Sequence, residues 1–440
     1  MISEPSRQTP LVRQADVVVC GAGPAGVSAA IAAAASGAET VLIESAGCLG
    51  GVWTSGLLTY VLDGKGQSPV TRRILDELNK REGQHARWHE NDRVANLDWA
   101  KDSFIYEPES MKWVLERLCL EFGIHVRLHT RVCDVVKRSD NEREIEAVIT
   151  ESKSGREAWQ GKVYIDTTGD GDVAAQAGCN FDLGRPGTGE VQPLTLMCLV
   201  QTPFPERLQP MSRLSGKELR EAFAESGVVT SYASPVFFEV RPDLYALMLN
   251  HKHGSALNAG ELSQATFEAR DEVMRTIESL REAGGAWEGL RVVATANQIG
   301  VREGRRIRGR YTVTVDDMIE GRSHPDAVCR VHFPIDVHST RKEGQSSDFD
   351  EENQIRTQPY DVPLRSLIAA DVDNLMMAGR NISGDFIAHS SYRVTGNSVA
   401  MGEAAGAFAA DAVRVGERVT NWPTEHVVSC VLRLSQCFER

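Results

Sequence analysis

Four places in the chain carry residues whose types and spacing suit chemistry. Near the start, Gly21-Ala22-Gly23-Pro24-Ala25-Gly26 has the GxGxxG spacing, and an acid, Glu44, follows 18 residues after Gly26. Glycines so spaced allow a tight turn, close approach of a diphosphate to the backbone, and close packing of helix on strand. A helix starting there offers free N–H groups and partial positive charge to the phosphates. Glu44 can accept from both hydroxyls of an adenosine ribose and would repel a 2′-phosphate, which disfavours NADP. Late in the chain, His389-Ser390-Ser391-Tyr392-Arg393 sets an imidazole and a guanidinium one helical turn apart. His389 fits a general base and equally a residue that holds its loop by hydrogen bonds, and Arg393 fits a group that orients a substrate oxygen or carboxylate. Arg302-Glu303-Gly304-Arg305-Arg306 gathers three arginines. Arg302 and Arg305 are candidates for an anion site; the same charges could pair with Glu303 and Asp316 or with a cofactor phosphate. His332 and His338 are further candidates. Cys48 precedes a second glycine pair, but no cysteine follows until Cys119, so a dithiol relay is not expected and a buried thiol is.

These groups need elements to place them. Ala15 to Cys20 (ADVVVC) predicts a buried parallel strand, Pro24 to Ser36 an alanine-rich helix stopped at Gly37, and Thr40 to Glu44 a second strand. That is a βαβ unit with the glycine turn at its first corner. Helices are expected over Val70–Arg81 and Met111–Phe122, the second capped by Ser110 and ended by Gly123. Strands are expected at IHVRLH from Ile124 and on both sides of a turn at Ser154-Gly155. From about Val191 the texture becomes β-rich. TLMCLVQT, SPVFFEV, YALMLNHK, LRVVATANQIG, RYTVTV and AVCRVHFPIDV read as strands. A helix from Gly260 to Gly284 carries Phe267, Val273, Met274, Ile277 and Leu280 as apolar positions. Arg341 to Asn353 reads as a charged, mobile loop. NLMMAGR is one more buried strand, and a helix of small residues covers Ser398 to Val413. The expected fold is therefore α/β: a Rossmann-like dinucleotide-binding domain from residues 1–190 and 356–440, with a β-rich substrate or cap domain, 191–355, inserted in it.

Bulk properties narrow the function classes. The 440 residues carry 61 acidic against 48 basic side chains, a net charge of -13, which argues against nucleic acid as a partner. No run of about 18 apolar residues exists, so no membrane span is expected, and the polar start shows no secretory signal. Nine scattered cysteines without a CxxC argue against a zinc site and fit reduced thiols in the cytoplasm. No second GxGxxG stands in strand–turn–helix context, so a separate NAD(P)H domain is not expected.

The fingerprint does not separate FAD from NAD, but three later segments do so by resemblance. Gly50-Gly51-Val52-Trp53-Thr54-Ser55-Gly56 is similar to the GG element of glutathione-reductase-type flavoproteins. Ile165 to Asp172 (IDTTGDGD) resembles their strand-end TG motif, and Asn374 to Asp385 (NLMMAGRNISGD) their late strand with its GD element. In this order they resemble the bacterial FAD-dependent oxidoreductase family, a relative of the fumarate reductase and heterodisulfide reductase A flavoproteins. The resemblance is strongest at residues 15–60, 160–178, 297–318 and 360–413. It implies a glutathione-reductase-type FAD domain and non-covalent FAD. Gly21, Gly23, Pro24, Ala25 and Gly26 would cradle the pyrophosphate, Glu44 would hold the ribose, and Val132 would meet adenine through its backbone. Gly51, Thr54 and Ser55 would line the flavin, with Gly169, Gly379, Arg380 and Asp385 completing the shell. Gly396, Asn397 and Ser398 would open the last helix, either as an anion site for the reduced flavin or as plain packing. His389 and Arg393, with Arg302 or Arg305 nearby, would face the flavin. The activity implied is hydride exchange between flavin N5 and a small organic substrate, a carboxylate or polyhydroxylated compound. The alternatives are a flavoprotein subunit that passes electrons to a redox partner, or a non-catalytic FAD-binding protein. Oligomeric state is not indicated.

Overall fold

The computed structural model describes residue 2 and residues 6–64, 68–88, 103–340 and 351–438. Strand β1 (Leu11–Cys20) is exposed where it begins and wholly buried over Val17 to Cys20. Helix α1 (Pro24–Ala35) is apolar on every side, and ten of its residues are buried, as expected of a helix sandwiched in a core. Strand β2 (Thr40–Ile43) returns parallel to β1, pairing Thr40 with Val17 and Ile43 with Cys20. Helix α2 (Pro69–Glu82) is capped by Ser68, whose hydroxyl accepts from Thr71. Helix α3 (Pro108–Glu121) starts earlier than the sequence suggests. Pro108 takes the first position and Ser110 lies inside the helix, because proline presets the φ needed there.

Strand β3 (His125–Arg127) lies parallel to β2. Strands β4 (Arg131–Lys137), β5 (Ile145–Ser152) and β6 (Gly155–Asp166) then form an antiparallel meander. The second half of β6 turns parallel alongside β1, with Asp166 opposite Cys20.

The chain next builds a separate antiparallel sheet from β7 (Cys198–Gln201), β8 (Val236–Arg241), β9 (Leu244–Met248) and β10 (Arg291–Thr295), in the order β8-β9-β7-β10. Helix α4 (Ala259–Ala283) packs Val273, Ile277 and Leu280 into one core with Cys198, Val200, Tyr245 and Leu247 of the sheet. Phe267 and Met274, expected on its apolar face, are 65% and 42% exposed. The buried stripe runs through Ala265, Ala269, Val273, Thr276 and Ile277 instead, because a helix period of 3.6 carries Phe267 and Met274 round to the solvent side.

The strand expected over RYTVTV does not form. Val313 makes one bridge to Gly384, and Thr314 then caps a short helix over Val315–Glu320 in a reciprocal box with Asp317, which ends the extended run. Strand β11 (Ala327–Val331) pairs antiparallel with β12 (Tyr360–Pro363). The intervening charged stretch lies outside the described residues over 341–350, and its end, Glu351–Gln354, is a 3-10 turn. Strand β13 (Leu375–Met377) lies parallel to β6, completing the parallel order β3-β2-β1-β6-β13. Helices α5 (Phe386–Tyr392), α6 (Thr395–Val415) and α7 (His426–Phe438) close the chain; the sequence reading had no counterpart of α7. The expected small-residue helix is longer at both ends than Ser398–Val413. Its Gly402 and Gly406 lie against α1, where a Cβ would stand 2.0 Å from the Ala25 carbonyl oxygen and 2.1 Å from that of Ala29. Ile307, Val313, Cys329, Phe333 and Val337 share one core with β1 and α1, well before residue 356. No helix among the described residues is long and apolar enough to cross a membrane.

Candidate functional site

At the carboxyl end of β1 the chain turns at Gly21, whose φ of +96° suits glycine and whose added Cβ would meet the Thr167 carbonyl oxygen at 2.5 Å. A Cβ on Gly26 would stand 1.8 Å from the Gly21 carbonyl oxygen. Gly23 is different. Nothing lies within 4 Å of where its Cβ would be, and it begins α1 with no side chain capping the helix. The first turn of α1 therefore starts uncapped beside open space at Gly23, the arrangement a diphosphate requires.

Glu44, buried at the end of β2, accepts from the N–H of Ala22 at 2.6 Å and of Ala46 at 2.7 Å. It thus braces the glycine turn, and a carboxylate has lone pairs beyond these two for ribose hydroxyls. The N–H of Thr130 donates to the Glu44 carbonyl at 2.9 Å, which brings Val132 to the same end of the sheet. A cleft of about 750 Å³ opens here between Gly47, Cys48 and Ser55 on one side and Lys112 and Trp113 of α3 on the other.

Segments far apart in sequence meet beside Gly23. A Cβ on Gly51 would stand 2.9 Å from the Gly23 Cα, and one on Gly379 3.2 Å from Ala25 Cβ and 3.7 Å from Ser398 Oγ. Gly169 lies under the Arg380 guanidinium, which pairs with Asp170 at 2.9 Å. The Thr167 hydroxyl sits between the carbonyls of Cys20 and Gly21. Asp166 holds the following loop through Thr168 and Ala174; burial raises its pKa to about 6 against those bonds. The Trp53 indole N–H, two residues after Gly51 in the chain, is buried without a partner among the described residues. A cradle of glycines, an uncapped helix start and an orphaned donor together fit FAD.

Other expected contacts are committed within the protein. The Thr54 hydroxyl donates to the Leu49 carbonyl at 2.6 Å, and Ser55 lies 3.3 Å from the Cys48 sulfur. In Asp385 one carboxylate oxygen accepts from Ala388 and the other from Val315, both at 2.7 Å, so it caps α5 and anchors the segment before Val315. At the start of α6, Gly396 donates to the Leu62 carbonyl at 2.7 Å and the Asn397 side chain bonds Asp63. Asp63, which the sequence reading missed, has φ +51° and accepts from the main chain of His332 and Phe333. The His332 side chain is half exposed, 3.7 Å from Asp63.

The catalytic candidates separate. His389 is fully enclosed, edge-on to Tyr392, and burial with the charges of Arg393, Arg306 and Arg380 holds its pKa well below the usual imidazole range. Arg305 bonds the Asp170 carbonyl at 2.9 Å and Asp172 at 3.0 Å, away from the other candidates, and Arg306 forms a buried pair with Glu303. Arg393 and Arg302 do come together. Arg393 donates to the Arg302 carbonyl at 3.1 Å and to the Asp336 carbonyl at 2.6 Å. The Asp336 carboxylate lies 3.4 Å from Arg393 and 3.3 Å from His338. Burial pushes this carboxyl up, but His338, Arg393 and Arg302 together outweigh that and hold it well below the carboxylate range. Burial and Arg302 lower His338 to about 4. His251 packs 4.9 Å from His338 and 3.9 Å from Tyr232, ring centre to ring centre.

The model of one protein family, described as FAD dependent oxidoreductase, matches residues 16–429. The chain belongs to that family. No curated protein matches the sequence. Among solved structures, a geranylgeranyl bacteriochlorophyll reductase-like protein from Thermoplasma acidophilum is 13% identical with a TM-score of 0.51, covering 97% of this chain and 87% of that one. The OxyS anhydrotetracycline hydroxylase from Streptomyces rimosus is 14% identical with a TM-score of 0.47, over 96% of this chain and 66% of that one. At such identities the first likeness shows a shared fold, and the second carries no argument.

In this FAD-dependent oxidoreductase the glycine residues and Glu44 gather as the sequence leads one to expect, and so do Arg393 and Arg302, whereas the rest of the polar cluster at the sheet junction, His338 aside, has no counterpart in the sequence reading. Asp336, His251 and Tyr232 were not anticipated. His251 and Arg302 are 51 residues apart in different elements, and no local spacing signals their meeting.

Proposed function

We propose that the enzyme exchanges hydride between flavin N5 and a small organic substrate held at the junction between the parallel sheet and the inserted antiparallel sheet. In this reading Gly21, Gly23, Pro24, Ala25 and Gly26 hold the pyrophosphate, Glu44 the ribose and Val132 the adenine. Gly51, Thr54 and Ser55 adjoin the flavin, with Gly169, Gly379, Arg380, Gly396, Asn397 and Ser398 around it. FAD, when bound, supplies the two-electron acceptor. A parallel sheet flanked by the β4-β5-β6 meander supports the glutathione-reductase-type relation. We place the inserted unit at residues 191–305, since the chain after Ile307 packs into the core of β1.

The observation that carries the reading is the Arg302–Arg393–Asp336 cluster. It is built on segments that adjoin the cofactor elements: Gln298 donates to the Ser55 carbonyl at 3.2 Å, and Arg393 stands just before α6. Arg302 and Arg393 would bind and orient substrate oxygens, and Asp336 fixes Arg393. Anaerobic mixing of the FAD-loaded protein with a panel of small carboxylates and polyols tests it. Loss of the yellow flavin absorbance with one of them is expected. No bleaching by any, in protein whose flavin is reducible by dithionite, would overturn the reading.

A further inference from the structure

We propose that Arg302 and His251 form a carboxylate-binding subsite, and hence that the substrate carries an anionic carboxylate; this rests on the reading of the junction as the substrate site. Arg302 comes from the segment after β10, His251 from the segment after β9, and Tyr232 from the loop before β8. The Arg302 guanidinium forms no ion pair among the described residues. Its bonds go to the Pro193 carbonyl at 2.9 Å, the Thr195 hydroxyl at 2.7 Å and the Met248 sulfur at 3.6 Å. All three are neutral, and none uses the Nε–H. The side-on edge formed by Nε and Nη2 is one that carboxylates meet with two parallel hydrogen bonds. Burial lowers Arg302 to about 10, which leaves it charged at neutral pH.

Charge at the junction is unbalanced. Arg302 and Arg393 bring two positive charges. Asp336 brings one negative charge, and it already serves Arg393 and His338. His251 adds none: burial, Arg302, His338 and His253 hold its pKa far below the usual imidazole value. Its Nε2 is buried without a partner among the described residues, while the ring is fixed by stacking on Tyr232. A neutral imidazole in that place can donate one hydrogen bond to an anion. The groups are reachable from solvent, since 27% of the Asp336 side chain is exposed and Arg302 and His251 are each partly accessible. A cation bonded only to neutral groups, with its Nε–H unused and only a weak sulfur acceptor on Nη2, near a ring nitrogen without a partner among the described residues, is completed by one carboxylate.

The test is titration of the FAD-loaded protein with acetate, succinate and benzoate, and with their uncharged amides, read by calorimetry and by flavin difference spectra. At least one carboxylate should bind saturably, with its amide at least about tenfold weaker, the size of one charge-assisted hydrogen bond. Arg302→Met should lower that affinity about tenfold or more with FAD content unchanged. Should this variant lose FAD, Arg302→Lys, which keeps the charge and loses the side-on edge, should show the same direction. His251→Phe, which keeps the stack on Tyr232, should weaken carboxylates and leave amides unaffected. Equal binding of acid and amide, no binding of any carboxylate, or retained affinity in both Arg302 variants would overturn the proposal. Flavin bleaching is read separately. A carboxylate that binds without bleaching supports the subsite whatever becomes of the hydride reading, and bleaching by an uncharged compound while no carboxylate binds overturns the subsite alone.

Discussion

Arg393 donates one guanidinium N–H to the carbonyl of Arg302 across 3.1 Å, and another to the carbonyl of Asp336 at 2.6 Å. A residue just before α6 thus ties together the two segments that form the polar junction. The side chain is 7% exposed, so its charge depends on Asp336 at 3.4 Å. Removing one member of a buried pair leaves the other uncompensated, at a cost of about 3–5 kcal/mol. Asp336→Asn should therefore lower the unfolding midpoint more than Arg393→Met combined with Asp336→Asn, measured by calorimetry on the FAD-loaded proteins. A double variant less stable than the single one would show that the pair is not energetically coupled.

Glu44 braces the glycine turn. Its carboxylate accepts from Ala22 and Ala46, so Glu44→Ala should weaken FAD binding by about ten- to hundredfold, one charge-assisted hydrogen bond or slightly more. Fluorescence titration of the apoprotein with FAD gives the number; an unchanged dissociation constant would remove Glu44 from the ribose. Acid precipitation of the wild type should release all FAD to the supernatant, and yellow pellets would contradict non-covalent binding.

Two glycines of one turn should behave oppositely. Gly26→Ala puts a Cβ 1.8 Å from a carbonyl oxygen, so the backbone must move; overpacking of this kind costs about 1–3 kcal/mol or more, visible as a lower midpoint even without FAD. Gly23→Ala meets no atom within 4 Å and should leave the apoprotein within about 1 kcal/mol of wild type while weakening FAD. Equal thermal losses in both variants would refute the assignment of Gly23 to the diphosphate.

His389 should leave a pH signature in stability. Its folded pKa lies well below the ordinary 6.5, through burial first and then three arginines. Below pH 6.5 the unfolded chain takes up a proton that the folded chain refuses, so stability is lost as pH falls through that value. One such group costs about 1.4 kcal/mol per pH unit. His389→Leu should flatten the fall in unfolding midpoint between pH 6.5 and 5 relative to wild type. Flavin reduction should change by less than about tenfold, short of the 10²–10⁴ range of a lost general acid or base. A pH profile parallel to wild type would show that burial of His389 does not set the acid limit, and a loss within that catalytic range would place His389 at the chemistry.

The sequence by itself determined the first βαβ unit, because its signals are local. A β-branched run, glycines at fixed offsets, Pro24 at the helix start and Glu44 at the second strand end each act within a few residues of one another. The same holds for β13 and for the small residues of α6, whose Gly402 and Gly406 admit α1 at a distance no side chain would tolerate. Where the local signal was ambiguous the reading failed. RYTVTV alternates like a strand, yet Thr314 and Asp317 cap a helix in it. What only the tertiary structure decided was which charges meet. Arg302, Arg305 and Arg306 are neighbours in sequence but diverge to Pro193 and Thr195, to Asp170 and Asp172, and to Glu303. His251, Asp336 and Arg393 lie on segments up to 142 residues apart and converge at one junction. Coulomb energy and burial act through space, so the partner of a charge is set by the packing of sheets around it and not by its place along the chain.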